Sequence, residues 1–162
     1  MFSAIMLAAV LLQTTVLPQL TLFGAAPDLV LLVTISMGLL EGPVAGAAVG
    51  AAGGLLEDLL LTAITGLTAL TYLLVGYAVG KIRPYTQSTS VLVPVTGIFV
   101  GTVAAQLTYA ALSVLLGGPP SAMDRVLQTS MLGGLYNAII APFVYPVVRQ
   151  AASFRTEKTA RW

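Results

Sequence analysis

The sequence predicts an all-α integral membrane protein of about six transmembrane helices, and three observations predict it. Apolar residues make up 57% of the chain and charged ones 8%, with a mean hydropathy of +0.96, whereas an ordinary soluble domain is roughly 25% charged. Apolar runs follow one another almost end to end through 162 residues, many of them near the roughly 20 residues a helix needs to cross the hydrocarbon core. The cations are segregated, with Lys81 and Arg83 in one connection and Arg149, Arg155, Lys158 and Arg161 at the C-terminal end. A single polytopic domain over residues 1–150 and a short basic tail over 151–162 account for the chain.

Composition also excludes. A net charge of +1 supplies no clustered basic face, so no nucleic-acid partner is expected. Cysteine and histidine are both absent, which removes disulfides, thiolates, the commonest general base and the commonest metal ligand. Neither an enzyme activity nor a metal or other cofactor is expected.

The first predicted span, about Phe2–Leu17, lacks the basic n-region and the cleavage site of a secretory signal and stops near Pro18. After a turn-rich loop, Pro27-Asp28 opens a second span at Leu29–Leu40, with Asp28 placed to cap the helix N-terminus. Twelve residues reach only about 18 Å, so this span must thin the bilayer, borrow its flanks through Glu41, or be re-entrant. Span three is Pro43–Leu61, with proline in the first turn where its missing N–H costs least. Span four covers about Gly66–Gly80 and ends at Lys81-Ile82-Arg83-Pro84. Span five, about Val91–Leu116, is broken by Gly117-Gly118-Pro119-Pro120. Ser121-Ala122-Met123-Asp124 has the form of a capping box ahead of span six, about Thr129–Val148, in which Pro142 and Pro146 should kink the helix. The positive-inside tendency puts the 81–89 connection and the tail in the cytoplasm, and counting back puts the N-terminus there too, unless span two fails to cross.

The third span is the organising stretch. Gly42, Gly46, Gly50 and Gly54 recur every fourth residue, a spacing that lets another helix approach its backbone closely. At about 100° per residue, Glu57 falls near Gly46, Gly50 and Gly53, and Asp58 near Ala47 and Ala51. Both acids should therefore face other helices or a polar cavity, since an ionised carboxylate facing lipid would cost several kcal/mol. An intramembrane aspartyl protease would need two aspartates from separate helices, and neither Asp28 nor Asp124 lies mid-span. Asn137 inside span six should hydrogen-bond a neighbouring helix at about 1 kcal/mol, as should Gln13 and Gln106. Tyr72, Tyr77, Tyr85, Tyr136 and Tyr145 fit an aromatic belt at the membrane interfaces.

Taken in order, Leu12-Gln13-Thr14-Thr15, Pro27-Asp28-Leu29, the glycine run into Gly54-Leu55-Leu56-Glu57-Asp58-Leu59-Leu60, then Gly66, Ala69-Leu70, Tyr72, Gly76-Tyr77, Gly80, Asn137 and Tyr145 resemble the rod shape-determining protein MreD family over nearly the whole chain. Pro27-Asp28-Leu29, Asp58 and Asn137 are the positions the resemblance carries over. The chain departs at Glu41, where the family pattern more often has a basic residue. The resemblance implies a bacterial plasma-membrane protein similar in fold to the substrate-binding subunits of energy-coupling-factor vitamin transporters. It further implies a single-span partner, MreC, and a larger assembly with RodA, a class B penicillin-binding protein and MreB filaments that builds peptidoglycan.

The residues and the resemblance agree on a non-catalytic scaffold that offers helix surface to a partner and to the lipid bilayer, with a homo-oligomer also compatible. Lateral faces of the spans are expected to hold a partner's transmembrane helix, without the sequence saying which face; Gly46, Gly50, Gly53 and Gly54, with Glu57 and Asp58 at the tip of span three, are candidates for partner contact or for packing against other helices. One rival is a vitamin-binding transporter subunit, which predicts a sealed pocket lined by groups such as Glu57, Asp58, Tyr72 and Asn137. The other is a proton-coupled transporter using Glu57, which a lone acidic pair without an inverted repeat supports poorly.

Overall fold

The short second span is where the fold starts. In the computed structural model, which describes Gln13 and residues 27–61, 66–83, 92–117 and 123–159, it becomes helix α1 (Leu29–Glu41), followed by α2 (Pro43–Leu61), α3 (Leu67–Ile82), α4 (Leu92–Leu115) and α5 (Met123–Thr159). The described residues are thus all-helical. Stretches of α2, α4 and α5 are long and apolar enough to cross a membrane, while α1 and α3 are shorter apolar helices of 13 and 16 residues. Where the sequence suggests about six spans, the described residues supply five helices and three of spanning length. The predicted first span lies outside them except for Gln13, which is helical.

Helix boundaries follow local chemistry. The Asp28 carboxylate accepts from the Leu31 N–H at 2.8 Å and caps α1, satisfying an amide that has no partner within the helix. Gly42, at φ +99°, closes α1 with its N–H on the Gly38 carbonyl at 2.9 Å. With ψ at −172°, that conformation is open essentially to glycine alone and costs another residue about 1–3 kcal/mol, and Pro43 starts α2 immediately. The last helix is longer than its sequence pattern suggests, because Pro142 and Pro146 lie within one continuous α5 that runs to Thr159. Ser121 and Ala122 of the suggested capping box lie outside the described residues; Asp124 sits in the first turn of α5.

The packed centre of the molecule is α1, not the glycine-rich helix. Val30 to Leu39 are buried without interruption, and all four other helices pack around α1. A helix that is apolar around its whole circumference, as LVLLVTISMGLL is, belongs in lipid or in a protein interior, and here protein surrounds it. Its Thr34 hydroxyl donates to the Val30 carbonyl at 2.8 Å. The glycine-rich α2 has two faces instead: one is buried, while Val44, Leu55, Leu59 and Leu60 on the other are exposed.

The buried face of α2 is filled from within. A Cβ built on Gly46 would collide with the Gly76 carbonyl of α3 and come within 2.8 Å of Gly38 Cα of α1. On Gly50 it would strike the Tyr72 carbonyl, and on Gly54 it would lie 2.6 Å from Ala69 Cα. Gly76 and Gly80 of α3 abut the backbones of Gly46 and Pro43 in return. The helices that pack against this glycine face are α1 and α3 of the same chain.

Direction alternates along the chain. The start of α1, the end of α2, the start of α3, the end of α4 and the start of α5 all border one cavity. At the opposite end, Arg83 reaches the Glu41 carbonyl, with Nη1 to oxygen at 3.4 Å. Asp28 meets α5 at Asn137, fourteen residues from Met123, and Asn137 meets α4 at Thr102. At 1.5 Å per residue, α1 therefore begins roughly 20 Å below the top of the α4–α5 hairpin. The brevity of α1 is what leaves a space above its N-terminus.

Candidate functional site

The floor of that space is a hydrogen-bonded cluster around Asp28. Its Oδ1 caps Leu31, and its Oδ2 accepts from the Tyr72 hydroxyl of α3. Its backbone N–H donates to Asn137 Oδ1 of α5 at 2.9 Å, and Asn137 Nδ2 donates to Thr102 Oγ1 of α4 at 3.1 Å. The Thr102 hydroxyl passes its own hydrogen to the Ile98 carbonyl at 2.8 Å. Four helices are joined through one helix terminus, and Asn137 and Thr102 are fully buried. In an apolar surrounding such bonds hold because every alternative leaves a polar group unpaired. Pro27, which precedes the cluster, is buried as well.

Gln13 extends the cluster. Its Oε1 accepts from the Val30 N–H at 3.1 Å, and its Nε2 donates to Glu57 Oε1 at 2.9 Å. The orphan amides at the start of α1 are thus shared between Asp28 and a glutamine brought from the N-terminal segment.

Asp58, 1% exposed, has a separate task. Its Oδ2 accepts from the Gly66 N–H at 2.8 Å and the Ala69 N–H at 3.2 Å. Gly66 stands at the N-cap of α3 and offers no side chain, so the carboxylate at the end of α2 caps the next helix from outside and faces the positive end of its dipole. Adjacent in sequence, Glu57 and Asp58 therefore serve different helices.

Above this floor lies a cavity of about 500 Å³. Asp28, Glu57, Asp58, Thr68 and Tyr72 line it from α1, α2 and α3, Gln106, Tyr109 and Ser113 from α4, and Arg125, Thr129 and Ser130 from α5, with Leu31, Ala105, Ala110 and Val126 between them. Three of these lining residues also carry a buried oxygen without a hydrogen-bond partner: Glu57 Oε2, Asp58 Oδ1 and Ser130 Oγ. Among the described residues, no group of three His, Cys, Asp or Glu is placed to hold a metal ion.

The structure brings together Asp28, Glu57, Asp58 and Asn137, three of which border the cavity, and sets Gly46, Gly50 and Gly54 in the seam on the other side of α1. Gly53 is buried beside Gly54. Sequence reasoning missed the weight of Tyr72, which is 6% exposed and bonded to Asp28 rather than part of an interfacial belt. It also missed Thr102, Tyr109 and Ser130. A hydroxyl in a helix can bond its own preceding turn, so an isolated Ser or Thr carries little signal; Tyr72 sits four residues before Gly76, on the face turned to α1 and α2, and that register was readable.

The family model described as rod shape-determining protein MreD matches residues 1–151, from the N-terminus through nearly all of the buried part of α5. Neither a curated protein nor a solved structure was found to match the chain. A match over nearly the whole length, on a helical body with spans of membrane-crossing length, is decisive for the family: the chain belongs to the rod shape-determining membrane proteins of the MreD family.

Proposed function

We propose that this chain is a non-catalytic scaffold of the bacterial cell-elongation machinery that binds MreC and, through it, helps control peptidoglycan synthesis by an assembly containing RodA, a class B penicillin-binding protein and MreB. The observation that carries the reading is the family match across residues 1–151. The interior supports it: the buried carboxylates and amides near α1 are largely engaged in fastening helices to one another. What the molecule offers outward is helix surface.

With the glycine seam occupied internally, the partner's helix belongs on an outer face. On α5, Leu127, Met131, Leu135, Ile139, Phe143 and Val147 are all exposed at four-residue intervals, forming an apolar ridge of the kind that packs into the groove of a second helix. Orientation follows from charge. Lys81 and Arg83 end α3 at the pole opposite the cavity, and α5 carries Arg149 toward that pole, so the positive-inside tendency puts that pole and both termini in the cytoplasm and opens the cavity outward, toward the side where MreC has its folded part.

Co-expression with MreC tests the reading. The wild-type chain should co-purify with it, and Leu135→Trp with Ile139→Trp should cut the yield of complex at least fivefold while the variant stays folded. Failure of the wild-type pair to associate in native-like membranes would sink the proposal.

The cavity favours a second reading, a small-molecule binder akin to the vitamin-capturing subunits of energy-coupling-factor transporters. A thermal-shift panel of vitamins separates it from the scaffold: a saturable shift with one vitamin would favour the binder.

A further inference from the structure

Helix α1 is buried on more sides than its described neighbours cover. Thr34 reaches Gly50 of α2 and Gly76 of α3, and Gly38 abuts Gly46, Gly76 and Gly80. Ile35 and Leu39, about 100° further round the helix, meet Gly101 and Gly97 of α4. Val33 and Met37 lie about 100° round in the other direction, away from α4, and yet they are 2% and 0% exposed. A side chain turned to lipid would be exposed on the protein surface, so protein covers them.

Around α1, α2 packs on α3, α3 on α4 and α4 on α5, but α2 and α5 do not pack along each other. At the usual helix spacings each neighbour takes up about 60° of the circumference, so these four account for roughly two-thirds of it. The remainder is a groove between α2 and α5, flanked by apolar residues that pack on the same core, Ala45 and Val49 of α2 and Ile140 and Val144 of α5. Gln13 marks what fills it. Itself helical, Gln13 accepts from the Val30 N–H and donates to Glu57 of α2, and Val30 heads the face that carries Val33 and Met37, at i, i+3 and i+7. Of the stretches outside the described residues, 62–65, 84–91 and 118–122 join consecutive helices at their ends, and only the N-terminal one has length to spare. As helix, residues 2–12 reach about 16 Å, more than the roughly 10 Å from Val30 to Met37.

We propose that the groove between α2 and α5 is the docking surface for the N-terminal apolar segment of this same chain, residues 2–17, which lies there as a helix with its Gln13 face on Val30, Val33 and Met37. In that register Ala9 and Met6, which share the face of Gln13, come against Val33 and Met37. The groove is then closed to a partner's helix, which is left the outer faces. The proposal is independent of the MreC reading, and either can fail alone.

The chain contains no cysteine, so introduced pairs report without background, and a buried cysteine behaves as a small apolar residue. The test uses the full-length chain in nanodiscs, oxidised with copper phenanthroline after each variant has been shown to be monodisperse by size-exclusion chromatography. Met6→Cys with Met37→Cys, and independently Ala9→Cys with Val33→Cys, should each form a disulfide within one chain in most molecules, seen as a monomer carrying the linked peptides in mass spectrometry. Ala4→Cys with Met37→Cys, which sets the first cysteine about 180° from the Gln13 face, should link at least fivefold less. Disulfides between two copies would assign the groove to a second chain and overturn the proposal. So would failure of both pairs to link in folded protein, which leaves the groove to a partner's helix, or equal linking of the Ala4 pair.

Discussion

The two sides of α1 are built on opposite principles. Toward α2 and α3, helices meet backbone to backbone: Gly38, Gly46 and Gly76 bring three main chains together with no side chain between them. Toward α4 and α5, contact is made through side chains, with Leu39 against Gly97 and Ile35 against Gly101, and the chain of hydrogen bonds from Asp28 through Asn137 to Thr102 adds to that packing. In lipid, dispersion contacts and interhelical hydrogen bonds are the available means of association, since water is not there to drive it. The seam uses the first and leaves no room. The α4–α5 side adds the second, and the cavity lies between its upper end and the ends of α2 and α3.

The largest expected effect comes from filling the seam. Gly46→Leu with Gly50→Leu would push side chains into the Gly76 and Tyr72 carbonyls, and neither backbone can withdraw without separating α2 from α3. Overpacking by single methylenes already costs about 1–3 kcal/mol, so the double variant should yield no monodisperse folded protein on size-exclusion chromatography in detergent. A well-folded double variant would show that the seam is looser than its geometry.

Asp28→Ala attacks the hydrogen-bonded cluster instead, which reaches α3 through Tyr72 as well as α5 through Asn137. It removes the α1 cap, worth about 1 kcal/mol, and strands the buried Tyr72 hydroxyl, at about 1–3 kcal/mol more. The summed loss, about 2–4 kcal/mol, should appear as a clear fall in unfolding temperature, with the chain still folded. Equality with the glycine double variant would erase the distinction between the two sides.

How much of this was legible differs between the sides in the same way. The glycine spacing at 42, 46, 50 and 54 declared a close approach, and the seam is a close approach; what it could not declare was the partner, because a bare backbone suits a helix of the same chain as well as one from outside. The cap at Asp28 was readable from Pro27-Asp28 ahead of an apolar run, and α2 has the bounds its proline and leucines suggest. The cavity was not readable. It exists because α1 starts deep in the body, so that its walls come from α2, α3, α4 and α5, and no local pattern in any one helix encodes the distance between their ends. Glu57 and Asp58 looked like a pair, yet one turns to Gln13 and the other to the α3 amides, since neighbouring residues on a helix diverge by about 100°.

A smaller effect is expected at Asn137. Asn137→Ala deletes the bonds to the Asp28 N–H and to Thr102, each worth about 1 kcal/mol in a membrane interior, and should lower stability by about 1–2 kcal/mol in a denaturation series. Because the seam is untouched, hydrogen exchange in α2 and α3 should hardly change, while α4 and α5 open more readily. Uniform loss of protection would mean that the two sides unfold as one unit.

The smallest effect isolates the comparison within a single helix. Ala48 lies two residues from both Gly46 and Gly50, about 200° round α2, and it is exposed where they are buried. Composition cannot distinguish these positions, since each is a small residue in the run Gly42–Gly54. Geometry can: a leucine at Gly50 meets the Tyr72 carbonyl, and a leucine at Ala48 meets the surroundings of an outer face. Ala48→Leu should therefore leave stability within about 0.5 kcal/mol of wild type, measured beside Gly50→Leu under the same conditions. If Ala48→Leu were as damaging as Gly50→Leu, the outer face of α2 would itself be a packed surface, covered by some helix that the five described here do not include.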